Sequence, residues 1–379
     1  MDTAHKLNFE ESTVSGIVDF VDWYIDDWGN GEYLEMPYTK IGDGTGGSAW
    51  RVESSVVKAI NFSGATDGDR WRSGKEVKQE LKNHLLVQNH KNVVKCFGGL
   101  VRYKDLETAG FGNEDSDDEN SDNSASVSDS TFSWLDVSED INTIYNAKHD
   151  SDDSVTSIYD AKHTKQGLFF IVLEFVEYGT LHHFLDKSEN CIGKPELGDY
   201  TFLDRLNVLL GIAKGLEHIH DNKIIHCDLN PNNVMVDVST GTATAKLIDF
   251  GSSVLLKENE EVVHLSNRAG TRGYASDEQQ KLGVFGLSTD IYALGMIILA
   301  FFSDANYAHS RNELLEELEK HYKVEEKEEK EKGFIQHLSG SIISLMGVMI
   351  CKDSTKRPSI KEVITTIEAE IEERKKKLE

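Results

Sequence analysis

The sequence predicts an α+β fold of two lobes, a small β-rich N-lobe and a larger α-helical C-lobe. Three observations carry this prediction. Two apolar, strand-like runs, at residues 56–60 and 168–173, lie in the first half of the chain. A polar run at residues 226–233 comes next, and Asp249-Phe250-Gly251 follows it. The fold class follows from the family that these segments together resemble.

A glycine-rich segment precedes the first of these runs. Gly42, Gly44 and Gly47 have the spacing G-x-G-x-x-G, in which glycines let backbone N–H groups approach phosphate oxygens. Such a segment also fits an ordinary hairpin turn. Lys58 is the one cation in the apolar run 56–60. Few residues separate it from Gly47, so we expect a tight hairpin between them.

A helix is predicted next, at residues 74–89, where apolar and charged residues have helical spacing. Glu80 is the predicted partner of Lys58, and Glu76, one turn earlier, is the alternative. The continuous apolar run at 168–173 then predicts a buried strand. It leads into Glu174-Phe175-Val176.

The polar segments bring together oxygen atoms suited to phosphate chemistry. Asp228 and Asp249 are carboxylates and Asn233 is an amide. Such oxygens suit a hard cation such as Mg²⁺. Taken singly, these residues fit turn formers and caps. As a set with Lys58, they indicate phosphoryl transfer.

Together these motifs resemble the protein kinase family. The pattern His226-x-Asp228 with Asn233 and then Asp249-Phe250-Gly251 carries the resemblance. Further matches lie downstream, at Gly270-Thr271, Glu278, Asp290 and Arg357. The resemblance implies a two-lobed protein kinase-like fold over residues 38–372.

The resemblance also implies ATP and Mg²⁺ as cofactors, with ATP between the lobes. The implied catalytic residues are Asp228, which would accept the proton of the acceptor hydroxyl, Lys58 and Asn233. The implied metal ligands are Asn233 and Asp249. The implied nucleotide-binding residues are Gly42, Gly44, Gly47, Lys58, Glu80, Glu174 and Val176. Glu278 and Arg357 are implied to form a buried ion pair.

Two residues depart from the family's pattern. Asn230 stands where Ser/Thr-directed members usually have a lysine that contacts the γ-phosphate, so this electrostatic contribution is weakened. Cys227 replaces the arginine that clamps a phosphorylated activation loop, so we expect activation without loop phosphorylation. Cys227 itself fits a small buried filler better than a reactive thiol.

The function predicted from the resemblance is ATP-dependent transfer to Ser or Thr hydroxyls of protein substrates. One alternative is a pseudokinase that binds nucleotide and acts as a scaffold. A small-molecule phosphotransferase is less favoured. Such enzymes share the H-x-D-x-x-x-x-N pattern but do not normally carry the series of residues from 270 to 295 seen here.

Three segments lie outside the predicted lobes. Residues 102–166 are acidic and polar, which predicts a disordered insert in the N-lobe where a regulatory partner could bind. Residues 1–37 form an N-terminal extension whose aromatic residues we expect to pack on the N-lobe. Residues 373–379 form a basic C-terminal tail, which we expect to close a final helix.

Composition excludes several other classes of protein. The net charge of −26 disfavours nucleic acid and anionic membrane as partners. No apolar run reaches the roughly 18 residues of a membrane span. We expect no secretory signal, because no basic region precedes an apolar stretch near residue 1. The four cysteines lack metal or disulfide spacing. We therefore expect an intracellular, cytoplasmic protein, with a nuclear location as the alternative.

Overall fold

The computed structural model describes residues 17, 20, 21, 24, 38–44, 47–63, 72–104, 133–135, 166–185, 201–238, 241–266, 270–302 and 339–378. The chain divides into two compact units. The N-terminal unit comprises Met1–Lys82 and Cys96–Phe175. The C-terminal unit comprises Asn83–Lys95 and Val176–Glu379.

The N-terminal unit is built on a mainly antiparallel sheet. Its strands are β1 (Thr39–Gly44), β2 (Gly47–Val52), β3 (Ser55–Ser63), β4 (Arg72–Ser73), β5 (Cys96–Lys104), β6 (Ser133–Leu135) and β7 (Gln166–Glu174). Their order in the sheet is β1-β2-β3-β7-β5-β6, and β4 pairs in parallel with β3. Helix α1 (Gly74–Val87) follows β4.

A two-residue turn joins β2 to β3, as the short spacing before Lys58 predicted. Val52 pairs with Ser55, and Glu53 in the turn has a φ of 52°. Lys58 lies opposite Ala49 on β2 and opposite Ile171 on β7. It therefore sits on a strand that is paired on both sides.

Different segments pack on the two faces of this sheet. Phe169 points to one face, where a side chain at Gly99 would meet both Phe169 and Leu81 of α1. Phe170 points to the other face, because successive side chains of a strand alternate. There it joins a cluster with four buried residues of the N-terminal extension, which are Ile17, Phe20, Val21 and Tyr24.

The C-terminal unit is mainly helical. Its helices are α2 (Leu181–Leu185), α3 (Phe202–Asp221), α4 (Asp277–Leu282), α5 (Leu287–Phe302), α6 (Gly340–Met349) and α7 (Ile360–Leu378). Three antiparallel pairs of strands accompany them: β8 (Ile224–Ile225) with β11 (Val254–Leu255), β9 (Val234–Asp237) with β10 (Thr244–Leu247), and β12 (Val262–His264) with β13 (Val284–Gly286).

Helix α3 is the central support of this unit. It begins with a capping box, in which Thr201 and Asp204 each bond the other's backbone N–H group. Gly211 lets the helix approach β10 closely, since a Cβ there would lie 2.8 Å from Ala245 N. The β9–β10 hairpin therefore rests directly on the helix backbone.

The division into a β-rich first part and a helical second part agrees with the predicted fold class. The predicted limits of the insert, 102–166, need correction, because β5 continues to Lys104 and β7 begins at Gln166. The short strand β6 also lies inside the insert and pairs with β5. The other residues of the insert lie outside the described residues.

The basic C-terminal segment is not a separate tail. Helix α7 runs to Leu378, and the basic residues near its end make ion pairs along it, Lys375 with Glu372 and Lys377 with Glu373. This agrees with the expectation that they close a final helix. Among the described residues, no helix is both long and apolar enough to cross a membrane.

Candidate active site

The loop between β8 and β9 contains Asp228 and is anchored by a buried carboxylate. Asp290, near the start of α5 and 1% exposed, accepts hydrogen bonds from the backbone N–H groups of His226 and Cys227, at 2.8 and 3.0 Å. Its Oδ2 also lies 2.9 Å from His220 Nε2. Cys227 has a φ of 66°, a left-handed conformation that these bonds hold in place.

The carboxylate of Asp228 is held by a segment distant in sequence. Thr271 donates to Asp228 Oδ1 twice, from its backbone N–H at 2.8 Å and from its hydroxyl at 2.7 Å. Asn233 Nδ2 donates to the backbone oxygen of Asp228 at 2.8 Å. Thr271 therefore holds Oδ1 of the carboxylate, and Asn233 holds the backbone of the same residue.

Asn233 and Asp249 lie at the same end of the β9–β10 hairpin. Val234, just after Asn233, pairs with Leu247. Ile248, just before Asp249, donates its N–H to Asn233 O at 3.1 Å. Because the hairpin is antiparallel, its open end, opposite the turn that joins Asp237 to Thr244, brings an amide residue and a carboxylate residue together. These are the two residue types expected to hold Mg²⁺.

The backbone at Asp249 is left-handed, with φ of 62° and ψ of 80°. Its Oδ1 accepts a 3.2 Å hydrogen bond from Gly251 N. This bond caps the short 3₁₀ turn Phe250–Ser252. Asp is one of the few residues that adopt this conformation at modest cost. The turn therefore fixes the backbone position from which the Asp249 side chain extends.

Phe250, in that turn, is completely buried between two imidazole rings. Its ring centroid lies 4.7 Å from that of His84 and 5.4 Å from that of His226. One residue before His84, Asn83 donates to Ser253 Oγ at 2.9 Å and to Ser253 O at 3.1 Å. The C-terminal end of α1 thus holds the segment that follows Asp249.

Within the N-terminal unit, Lys58 and Glu80 form an ion pair. Lys58 Nζ lies 2.7 Å from Glu80 Oε1, and the two side chains are 15% and 3% exposed. Glu76, the alternative that the sequence left open, has an exposed side chain. Lys58 therefore pairs with Glu80, the residue that the sequence predicted as its partner.

The glycine-rich segment forms the β1–β2 hairpin, in which Gly44 pairs with Gly47. Gly47 has a φ of 134°, and a Cβ there would lie 2.1 Å from Ala59 O on β3. At Gly42 a Cβ would meet only the Ala49 side chain, at 3.8 Å. Glycine at position 47 is thus required by the packing of the sheet itself.

The predicted adenine-binding strand is β7. Its last residues, Leu173 and Glu174, pair with Val56 and Ser55 of β3. Val176, the other residue expected to bond adenine, belongs to the C-terminal unit and is 6% exposed.

Comparison with known proteins decides the family. The family described as "Protein kinase domain" matches residues 127–366, which is more than half of the chain. The chain belongs to the protein kinase family. The matched range contains Asp228, Asn233 and Asp249, and it begins after Lys58 and Glu80. The family match, together with a β-rich N-terminal unit and a helical C-terminal unit, confirms the two-lobed fold class that the sequence predicted.

Two relatives of the chain are named as Ser/Thr protein kinases. A G-type lectin S-receptor-like serine/threonine-protein kinase of Arabidopsis thaliana is 33% identical over 136 residues, covering 35% of this chain and 15% of its own. "Probable serine/threonine-protein kinase gdt2" of Dictyostelium discoideum is 31% identical over 140 residues, covering 36% of this chain and 8% of its own. The kinase thus spans less than a fifth of the length of these relatives.

The ion pair expected to anchor the C-lobe of the kinase is confirmed. Arg357 Nη1 and Nη2 donate to the two carboxylate oxygens of Glu278, the second at 3.1 Å. The Arg357 side chain is 0% exposed and also donates to Cys351 O at 3.0 Å. Such a bidentate ion pair is stronger than a single charged hydrogen bond.

Several contacts around the candidate site could not be predicted from the sequence. Asn83 and His84 come three and four residues after Glu80 on the same helix. This helical spacing, which places them on the same face as Glu80, was the only signal in the sequence that could have indicated them. Asn230 was interpreted only as the loss of a lysine. Its contacts join segments 41 residues apart, so no local pattern indicated them.

Proposed function

We propose that this protein kinase transfers the γ-phosphoryl group of ATP to Ser or Thr hydroxyls of protein substrates. The observation that carries the proposal is the Asp228 carboxylate, whose Oδ1 is held by Thr271 at 2.7 and 2.8 Å. A general base must be oriented before the acceptor arrives. Asp228 meets that requirement through Thr271 and Asn233.

The residues present fit Mg²⁺ and ATP. Asn233 uses its amide nitrogen to bond Asp228 O, which leaves the amide oxygen as the end able to bind a cation. Together with the Asp249 carboxylate it forms an all-oxygen donor set suited to Mg²⁺. Bound Mg²⁺ supplies positive charge that neutralises the phosphate oxygens. In this proposal Asn233 and Asp249 are the metal ligands.

The same proposal assigns roles in nucleotide binding to the residues that the family resemblance implied. Lys58, held by Glu80, would bind the α- and β-phosphates. The backbone of Gly42, Gly44 and Gly47 would approach the phosphates, and the backbones of Glu174 and Val176 would bond adenine. Asp228 then accepts the proton of the acceptor hydroxyl as that oxygen attacks the γ-phosphorus.

The choice of Ser or Thr as the acceptor rests on two supports. The relatives are named as Ser/Thr protein kinases. Thr271, which bonds Asp228, also stands where the family's Ser/Thr-directed members have threonine. The identity of the protein substrate follows from neither.

The test is transfer of ³²P from Mg-ATP to a mixed Ser/Thr peptide library and to the protein itself. We expect the wild type to label Ser or Thr, and Asp228→Asn to be slower by about 10²–10⁴-fold, the usual contribution of a positioned general base. Asp221→Asn is the matched control, because Asp221 is an exposed residue at the end of α3. It should keep wild-type activity.

A second readout separates the alternatives. Binding of Mg-ATP should raise the melting temperature, and Lys58→Met should reduce that rise. If nucleotide stabilises the wild type but nothing is labelled, the chain is a nucleotide-binding scaffold. Labelling of small alcohols with none on peptides would instead indicate a small-molecule phosphotransferase.

A further inference from the structure

The side chain of Asn230 is buried and uses both ends of its amide. It is 2% exposed. Its Oδ1 accepts a hydrogen bond from Asn232 N at 2.9 Å, and its Nδ2 lies 3.0 Å from Thr271 Oγ1 and 3.1 Å from Asp228 Oδ1. A lysine has donors but no acceptor, so it could make the two contacts of Nδ2 but could not accept the bond from Asn232 N.

The oxygen end of the amide shapes the local backbone. Asn230 is the N-cap of the 3₁₀ turn Pro231–Asn233, and Pro231 stands at the first position of that turn. Capping by Asn satisfies an N–H group that would otherwise lack a partner. The turn carries Asn233, so this bond helps to place an expected metal ligand.

The nitrogen end acts on Asp228 through Thr271. The Thr271 hydroxyl donates its single proton to Asp228 Oδ1, so it can receive the Asn230 N–H only as an acceptor. Asn230 therefore fixes the direction in which that hydroxyl points. Asp228 Oδ1 is then occupied by Thr271 and Asn230. Within the described part of the chain, Oδ2 meets only the Asn233 amide, at 3.4 Å.

We propose that Asn230 is a positioning residue: its amide orients the Thr271 hydroxyl toward Asp228 Oδ1 and leaves Asp228 Oδ2 to accept the proton of the acceptor hydroxyl. This inference rests on the proposed kinase function. It makes Asn230 a working part of the site, where its sequence position alone suggested only a missing charge. In the transfer step the O–H bond of the acceptor breaks, its proton moves to Oδ2, and its oxygen bonds the γ-phosphorus as ADP leaves.

Asn230→Asp separates the two roles of the amide. An aspartate keeps the oxygen that caps Asn232 N, but it removes the donor and places a second carboxylate beside Asp228. Asn232→Asp is the matched control, because it adds the same charge on the exposed neighbouring side chain. We expect kcat of Asn230→Asp to fall about 10- to 100-fold, the usual effect of losing a donor to a charged group. The KM for ATP should stay near that of Asn232→Asp. The melting temperature should fall below that of Asn232→Asp, because the new charge is placed on a buried side chain.

A further readout tests positioning itself. The backbone N–H of Thr271 donates to Asp228 Oδ1 at 2.8 Å, so its NMR chemical shift reports this contact. At a fixed pH, the shift should change in Asn230→Asp and stay at the wild-type value in Asn232→Asp. The measurement requires no turnover, so it tests the contact even if the wild type transfers no phosphate. In that case the proposed function fails and the positioning contact is judged separately.

Variants of Thr271 test the relay without changing Asn230. Thr271→Ser keeps the hydroxyl and should keep kcat, whereas Thr271→Val should lose about as much as Asn230→Asp. The double variant should lose no more than either single one, because both break the same chain of bonds. The inference is overturned if the two losses add fully. It is also overturned if an active wild type and Asn230→Asp share the same kcat, or if the Thr271 N–H signal does not move in Asn230→Asp.

Discussion

Cys227 occupies a catalytic-loop position where the family's pattern has arginine, and its surroundings explain why a thiol fits. The side chain lies in an apolar cluster with Ile225, Leu256 and Phe285. Burial, and next the nearby Asp290 carboxylate, raise the pKa of this thiol well above its usual value. Cys227 is therefore a neutral, apolar filler, as its type suggested. Activation without loop phosphorylation stays a prediction.

Gly47 permits a sharp prediction at the scale of a single residue. Gly47→Ala should lower the free energy of unfolding by about 1–3 kcal/mol, because the new methyl group would clash with Ala59 O. The positive φ adds strain in the same direction. Urea unfolding of the whole chain measures the effect.

Gly42→Ala is the control for this prediction, since it comes from the same glycine-rich segment. Its added methyl group would make only an ordinary contact with Ala49, at 3.8 Å. Equal stabilities for the two variants would show that the β3 backbone does not impose glycine at position 47.

At the scale of elements, the four described residues of the N-terminal extension complete the core of the sheet. Phe20 is completely buried and packs edge-on against Tyr38 and Phe170, at ring-centroid distances of 5.0 and 6.4 Å. Tyr24 lies 6.0 Å from Trp50, also edge-on. Edge-on aromatic pairs add to the stability gained by burying their area. The expectation that this extension packs on the N-lobe is confirmed for its four described residues.

Removing the Phe20 ring should therefore destabilise the sheet. We expect Phe20→Ala to lower the free energy of unfolding by about 3–5 kcal/mol, the usual effect of emptying a buried aromatic position. Intrinsic tryptophan fluorescence during urea unfolding can report this, because Trp50 lies 5.9 Å from Phe20.

Ile41→Ala provides the comparison, because Ile41 lies on β1 of the same sheet and is 46% exposed. Its effect should stay within about 0.5 kcal/mol. If Phe20→Ala were as mild as Ile41→Ala, the extension would contribute little to the stability of the N-terminal unit.

At the scale of the whole molecule, His90 should make unfolding depend on pH. Its ring stacks on that of His218 at 4.7 Å, and its Nδ1 accepts a hydrogen bond from Asn92 N at 3.3 Å. Burial lowers the pKa of His90, and positive charge on His218, Lys91 and Lys214 lowers it further. Protonation of His90 is thus less favourable in the folded chain than in the unfolded one.

The direction of the pH effect follows from this difference. Because the folded pKa lies below the unfolded value of about 6.5, the unfolded chain takes up the proton first as pH falls. The contribution is present above pH 6.5 and is lost as the pH falls from there toward the folded pKa. We expect the melting temperature to drop between pH 7.5 and pH 5, and to drop less in His90→Gln.

His264→Gln is the control, since His264 is exposed on β12. It should keep the full drop in melting temperature. An equal drop in His90→Gln and in the wild type would rule out His90 as a source of the acid sensitivity.

Much of the site could be predicted from the sequence, because its parts are short and local. Asp228 and Asn233 share one loop, and Asp249 follows the next hairpin, so their spacing was enough to show the family resemblance that implies the set. The limits of the insert were predicted less well. Strand pairing decides where β5 and β7 end, and pairing depends on partners elsewhere in the chain.

By itself, the sequence determined which chemical groups this kinase carries and how they are spaced along each loop. Only the tertiary structure decided which distant groups meet. It confirmed Glu80 as the partner of Lys58, joined Thr271 and Asn230 to Asp228, and placed four residues of the N-terminal extension on the sheet. The physical reason is that spacing within an element is set by local backbone geometry. Contacts between elements depend instead on how buried faces pack, and no local pattern of residues contains that information.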